Sequence, residues 1–151
     1  MADFYVGCTM VYGGATLDLN AAPYSLEAST RSELAMTWRK EEVTSPFIEG
    51  AYQVSAVREN VTEAVAVWVR TDSYMTMDKA VQDLLGVAER PFFTMTFGHD
   101  GVTESWDCQT CQYSVITEQA YQMAKIALVK LQVPRLPRVT RSYADGTTVT
   151  R

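Results

Sequence analysis

The sequence predicts a mainly β protein of the α+β class: an antiparallel β-sandwich or barrel with one flanking α-helix and a long extended arm. Three observations predict it. Short segments rich in valine and aromatic residues are separated by glycine and proline turns. The clearest helical periodicity lies at residues 76–90, and a polar stretch with interspersed aromatic residues fills 31–50. Runs of strands around a single helix are typical of such folds.

The N-terminal strands form a predicted hairpin. Residues 3–12 are aromatic and β-branched, and Gly13-Gly14 follows them. Paired glycines adopt the positive φ angles that the tightest hairpin turns need, so residues 15–19 are the predicted partner strand. Residues 24–29 are consistent with a short third strand.

Residues 31–50 have two interpretations. Pro46 blocks strand pairing, and Leu34, Met36 and Trp38 are apolar residues in a segment rich in charge. A long loop with aromatic residues favours an arm that packs on a neighbouring molecule. The alternative is a β-hairpin folded on its own domain, because the three apolar residues alternate.

Two valine-rich strands are predicted next, at 51–57 and 61–70. Their alternation gives one strongly apolar face and one mixed face, although Glu63 lies among the valines of the second strand. This pattern is typical of an antiparallel hairpin that lies on a core. We therefore predict that the two strands pair with each other.

Residues 76–90 form the predicted helix. Its apolar residues share one stripe: Met77, Ala80, Val81, Leu84, Leu85 and Ala88. Thr76 is the predicted N-cap, and Pro91 ends the helix. We expect the stripe to face the core.

The C-terminal part is predicted to be mostly strand. Strands are predicted at 92–97, 102–108 and 112–117, and a turn is predicted at 98–101. Residues 122–133 are ambiguous, because their apolar residues fit both a helical stripe and a strand. Pro134 directly after them favours a strand over 125–133. Residues 139–151 lack apolar periodicity, so we expect a single domain at 1–137 and a flexible basic tail at 138–151.

The net charge of −5 is unevenly distributed. Residues 1–124 contain 7 basic and 17 acidic residues, a net charge of −10, whereas residues 125–151 contain 6 basic and 1 acidic, a net charge of +5. This asymmetry favours self-association, or else a solubilising surface with a solvated tail. It argues against nucleic-acid binding by the body. Without a signal peptide or a membrane-length apolar run, we expect an intracellular, non-membrane product.

Candidate catalytic and metal-binding groups are few. Cys108 and Cys111 have the spacing of half a zinc site or of a redox pair, and Cys8 and the single histidine, His99, are the residues that could complete a zinc site. The alternative is a set of ordinary reduced cysteines with an exposed turn histidine. Common catalytic motifs are absent. We therefore predict no enzyme, no cofactor and no catalytic or metal residues, with a small metal- or ligand-binding β-domain as the rival.

Several short motifs occur in order over residues 45–137. They are Phe47-Ile48-Glu49-Gly50, Tyr52, Ser55-Ala56-Val57-Arg58-Glu59, Thr62-Glu63, the alternating Val65, Val67 and Val69, then Trp106, Cys108, Tyr113-Ser114-Val115 and Val133-Pro134-Arg135-Leu136-Pro137. Together with the N-terminal strand pair, the long arm and the single helix, this combination resembles the small minor tail proteins of siphophages that infect actinobacteria (actinobacteriophages).

The resemblance implies a tail-tube-like or distal-tail fold and a structural virion protein of the phage tail, made in the host cytoplasm. Its partners would be copies of itself in a ring, a hexamer, and neighbouring tail proteins. DNA would pass through the ring without sequence-specific binding. The strands at 51–57 and 61–70 would line or brace the ring, and 31–50 would be the stacking arm. The alternative position is a tail terminator or head–tail connector ring.

Overall fold

A computed structural model describes residues 7–27, 30, 36–44, 46–47 and 49–151 of the chain. Strands dominate this part of the chain, and one long helix interrupts them. In chain order the elements are β1 (Gly7–Tyr12), β2 (Ala15–Asp18), β3 (Tyr24–Leu26), β4 (Trp38–Thr44), β5 (Ala51–Arg58), β6 (Val61–Arg70), α1 (Tyr74–Ala88), β7 (Phe93–His99), β8 (Val102–Cys108), β9 (Gln112–Ile116), α2 (Gln119–Ala124), β10 (Ile126–Arg135), β11 (Thr140–Tyr143) and β12 (Thr148–Thr150).

Ten strands form one antiparallel sheet that curves into a nearly closed, barrel-like wall. The order along it is β2-β1-β7-β8-β10-β6-β3, while β9 pairs with β10 and the β11–β12 hairpin pairs with β8. A single residue pair, Cys108 opposite Arg135, joins β8 to β10. The predicted fold class, an antiparallel sandwich or barrel with one flanking helix, is confirmed.

The N-terminal hairpin is confirmed over the described residues. Gly13 and Gly14 have φ angles of 54° and 85° and connect β1 to β2. On its other edge β1 pairs with β7, which buries Cys8 and Met10 completely. Residues 3–6 of the predicted first strand lie outside the described part of the chain.

Helix α1 packs its apolar stripe on β6 and β10. All six predicted stripe residues are buried. The hydroxyl of Tyr24 donates a hydrogen bond of 2.7 Å to the carbonyl of Ala80, which ties β3 to the helix. Burial, together with the nearby Asp83 carboxylate, raises the pKa of Tyr24 to about 12. Within the described residues, no helix has the length and apolarity to cross a membrane.

The predicted N-cap of α1, Thr76, is wrong. Ser73 has the extended backbone of a cap residue, and its hydroxyl accepts a hydrogen bond of 3.2 Å from the N–H of Thr76. The helix therefore begins at Tyr74, one turn earlier than the apolar stripe indicates. Tyr74 and Met75 are exposed, so the hydrophobic pattern gives no sign of this first turn.

The predicted pairing of the two valine-rich segments is also wrong. β6 pairs over its whole length with β10, and on its other edge with β3. β5 pairs instead with β4. The valine spacing gives the physical reason: Val54 and Val57 lie three residues apart, so they point to opposite faces of a strand and cannot share one buried face. Both are exposed.

The strand interpretation of 125–133 is confirmed by β10. The helical pattern is realised only in the short α2, which is capped by Lys125 in the left-handed conformation. Residues 138–151, where we expected no regular structure, contain β11 and β12, and β11 pairs with β8. Because both strands are largely exposed, no apolar alternation marks them in the sequence. The division into a domain at 1–137 and a tail stays a prediction.

An ion pair is buried between β6 and β10, close to the point where β8 joins β10. Arg135 Nε donates to Glu63 Oε1 at 2.7 Å, and the side chains are 5% and 2% exposed. Val133 lies opposite Glu63, so the two charges are diagonal neighbours on one face of the sheet. The Arg135 guanidinium also lies 5.8 Å from the ring centroid of Trp106. A one-residue slip of the strands would separate these charges, so the pair favours the observed register.

Removal of one member of this pair is expected to destabilise the fold strongly. Glu63→Gln keeps the shape of the side chain but removes the carboxylate charge that faces the buried Arg135, which costs about 3 kcal/mol or more. The paired replacement of Glu63→Leu with Arg135→Met should recover most of that loss, because both charges of the buried pair are removed together. Urea denaturation measures both effects. Equal losses in the single and the paired variants would contradict the role given to the ion pair.

Candidate assembly surface

β4 and β5 form a hairpin, called the arm here (residues 38–58), that lies outside the ten-stranded sheet. Its strands pair from Trp38 opposite Arg58 at the base, and within the described residues neither pairs with any other strand. At the base, the N–H of Glu59 donates a hydrogen bond of 2.9 Å to the carbonyl of Thr37. The chain therefore leaves the barrel and returns to it at one point.

The arm combines both interpretations of residues 31–50, with different boundaries. It is a hairpin, as the alternation at Met36 and Trp38 indicates, and it is exposed, as an arm should be. Its second strand is β5, which the sequence had assigned to the core. Residues 31–35, 45 and 48 lie outside the described part of the chain. They include Leu34, the first of the three apolar residues that were predicted to alternate.

The arm exposes apolar side chains on both of its faces. Every residue of β4 is exposed. Among the residues of the arm that the structure describes, the large exposed apolar side chains are Trp38 (44%), Val43 (56%), Phe47 (95%), Val54 (64%) and Val57 (50%). A two-stranded hairpin is marginally stable alone in water, and contiguous exposed apolar surface marks interaction sites. We therefore identify the arm as the candidate assembly surface.

A cleft of about 670 Å³ lies at the base of the arm. One wall is formed by the arm, where the Arg58 guanidinium lies 5.1 Å from the ring centroid of Trp38. The opposite wall comes from the C-terminal segment: Pro137, Arg138, Thr150 and Arg151. The cleft therefore combines an aromatic ring with three arginines that are far apart in the sequence. We call it the basic cleft.

The residues of the rival zinc site are not brought together. Cys8 lies opposite Phe97 on β7, and Cys108 lies opposite Phe93. Phe93 and Phe97 are four residues apart along β7, which corresponds to about 13 Å. Cys8 and Cys108 also lie on opposite sides of β7, on β1 and β8. His99 is exposed at the far end of β7. Among the described residues, no group of three or more His, Cys, Asp or Glu could hold a metal ion.

All three cysteines are buried, and none of them forms a disulfide. Burial raises the pKa of Cys108 far above its ordinary value, with a smaller contribution from the neighbouring Cys111 and Asp107. Burial also raises the pKa of Cys111 from 9.0 to about 12. A reactive redox thiol or a metal-binding thiolate needs a lowered pKa. These environments therefore fit structural cysteines.

We expect the native protein to react slowly with a thiol reagent such as Ellman's reagent near pH 8. In guanidinium chloride all three thiols should react at once, because the unfolded cysteines return to an ordinary pKa. Both raised pKa values favour the neutral thiol in the folded state. Their stabilising contribution is therefore complete below about pH 9 and is lost as the pH rises towards 12. Rapid labelling of Cys108 or Cys111 in the native protein would contradict this account.

Comparisons with known proteins find the fold in phage structures. A chain of the phage P2 baseplate in its activated conformation with Ca matches with a TM-score of 0.67 and 10% identity, covering 86% of this chain and 44% of that chain. A chain of the phage p2 baseplate in its activated conformation with Sr matches with a TM-score of 0.63, 12% identity, and coverage of 86% and 44%. The SPP1 Dit (gp 19.1) protein matches with a TM-score of 0.61 and 15% identity, covering 95% of this chain and 54% of that chain.

No family model and no curated protein matches the sequence. At identities of 10–15% the structural likeness shows a shared fold. This chain spans about half the length of the solved chains that it matches. The chain therefore has a barrel-like fold of the kind found in phage baseplate chains and in the SPP1 Dit protein, with an exposed arm.

Proposed function

We propose that this chain is a structural, non-enzymatic protein of a phage tail, carried in the virion and made in the host cytoplasm. The fold shared with baseplate chains and with the SPP1 Dit protein supports this proposal. The SPP1 Dit protein is a paradigm of the hub adsorption apparatus, and likeness to it favours a position at the distal end of the tail over a terminator or head–tail connector ring. The resemblance to actinobacteriophage minor tail proteins belongs to the same proposal.

The arm is the observation that carries the assembly part of the proposal. It exposes Val54, Val57 and Trp38 and pairs with none of the strands of the barrel that the structure describes. A neighbouring copy that covers it would bury this surface. Because the arm extends from one side of the molecule, such a contact joins two different surfaces, and repetition of the contact closes a ring when the rotation permits. We propose a ring, a hexamer, that contacts neighbouring tail proteins.

The charge distribution fits a ring around a DNA channel. Residues 1–124 have a net charge of −10. A wall of the same sign as the phosphate backbone does not retain DNA, so DNA would pass without sequence-specific binding. The tail-tube or distal-ring role thus requires no nucleic-acid site in the chain.

Immunogold labelling of virions tests the proposal. Particles of the phage that encodes this chain would be labelled with an antibody against the purified protein and imaged. Gold at the distal end of the tail is the expected result. Gold at the head–tail junction would favour the terminator or connector ring instead. Intact and disrupted particles that both stay unlabelled would contradict a role in the virion.

A further inference from the structure

The arm carries opposite charges at its two ends. Within the arm, the basic residues lie at or near the base: Arg39, Lys40 and Arg58. The distal half carries only acidic charges: Glu41, Glu42 and Glu49. All three glutamates are exposed, and no Lys or Arg occurs between residues 41 and 57. The distal half therefore has a net charge of −3.

The basic cleft extends the positive end of the arm onto the barrel. Arg58 lies over Trp38 on one wall, and Arg138 and Arg151 are exposed on the other. Within the described residues that line the cleft there is no Asp or Glu. Glu59 follows Arg58 directly but does not line the cleft. The cleft is thus lined by three arginines beside an aromatic ring and a proline.

We propose that the acidic distal half of the arm of one copy docks in the basic cleft of a second copy of this chain. The proposal rests on the ring-forming function and specifies the contact. The glutamates supply carboxylates for the three arginines, which form strong charge-assisted hydrogen bonds with them. Phe47, which is 95% exposed, supplies an aromatic side chain for the surface formed by Trp38, Val57 and Pro137.

An intermolecular contact follows from the geometry of the hairpin. Pairing holds the arm extended from Trp38–Arg58 at its base, so its distal half cannot reach the cleft beside that base. The cleft and the distal half are different surfaces. Each copy can therefore donate its arm to one neighbour and accept the arm of another, which is the connection that a closed ring needs.

Charge reversal tests the docking directly. The cleft variant carries Arg138→Glu and Arg151→Glu, and the arm variant carries Glu42→Lys and Glu49→Lys. All four positions are exposed, so both variants should unfold within a few degrees of the wild type. Each should raise the concentration at half-assembly about tenfold or more, because like charges then face each other. Arg70→Glu with Lys79→Glu, on exposed residues elsewhere, is the matched control and should assemble like the wild type.

Mixing the two variants is the decisive step. In an equimolar mixture, the basic arm of one variant meets the acidic cleft of the other, and the acidic arm meets the basic cleft. Assembly should return to near the wild-type level, as measured by light scattering. If each reversal alone assembles like the wild type, the docking proposal is wrong and the ring-forming function stands. If both fail and the mixture stays dissociated, the arginines do not receive the arm. A wild type that never assembles would overturn both proposals.

Discussion

Excision of the arm is expected to give a folded monomer that no longer assembles. The carbonyl of Thr37 and the N–H of Glu59 are hydrogen-bonded at 2.9 Å, so an Asn-Gly turn can replace residues 38–58 without displacing the barrel. The arm has no strand pairing with the described part of the barrel, and its side chains are largely exposed. The excised chain should therefore unfold cooperatively, within a few degrees of the wild type. Light scattering should give the monomer mass at every concentration at which the wild type assembles.

Two outcomes would contradict this role of the arm. An excised chain that aggregates as unfolded protein would show that the arm belongs to the core. An excised chain that still assembles would move the contact to another surface. Asp100→Asn is the control for the new turn, because it creates an Asn-Gly pair with Gly101 at the β7–β8 turn, where both residues already have positive φ angles. This control should fold and assemble normally.

Leu84→Asp is expected to unfold the protein or nearly so. Leu84 is completely buried between α1 and the sheet. The substitution removes a large apolar side chain and places an unpaired carboxylate in the core, at a combined cost of about 4 kcal/mol or more. Total stabilities of about 5–15 kcal/mol leave little after such a loss. The midpoint temperature of thermal unfolding should fall by about 10 °C or more, or the transition should become non-cooperative.

The matched control for this substitution lies on the same helix. Gln82 is exposed on the opposite face of α1, so Gln82→Asp introduces the same side chain into solvent. We expect a change in the free energy of unfolding within about 0.5 kcal/mol. A Leu84→Asp variant that unfolds as cooperatively and at the same temperature as the control would show that the stripe does not support the core.

Local patterns predicted the parts of the fold that depend on local chemistry. The α1 stripe repeats at helical spacing, so its buried face could be identified residue by residue. The Gly13-Gly14 turn needs positive φ, which only a few residue types adopt readily. Pro134 after an apolar segment distinguished strand β10 from a helix. In each case the deciding residues are neighbours in the chain.

The partners of the strands could not be predicted in the same way. Alternation shows which face of β6 is buried but not which strand lies beside it. β10, its true partner over ten residue pairs, is about 60 residues further along the chain. One signal was available: Glu63 interrupts the apolar face of β6, and a charge there needs a partner of opposite sign. Arg135 is that partner, but Glu63 and Arg135 are brought together only in the folded chain.

The sequence predicted that an arm exists, but it did not predict which residues form it. The charged and aromatic segment at 31–50 indicated an arm, and the arm is present with β5 as its second strand. The basic cleft could not be predicted, because Trp38 and Arg58 meet Arg138 and Arg151 only through the path of the chain after β10. Because residues 138–151 were expected to be a flexible tail, nothing in the sequence indicated that they form one wall of the cleft.

The mass of the purified protein in solution tests the ring-forming function most directly. Light scattering across a concentration series, with negative-stain images of the same fractions, gives both the number of copies and the shape. We predict a species of about six times the 16.9 kDa monomer, seen as rings with an open centre. A monomeric mass at every concentration, with no rings in the images, would contradict the claim that this chain forms a ring by itself.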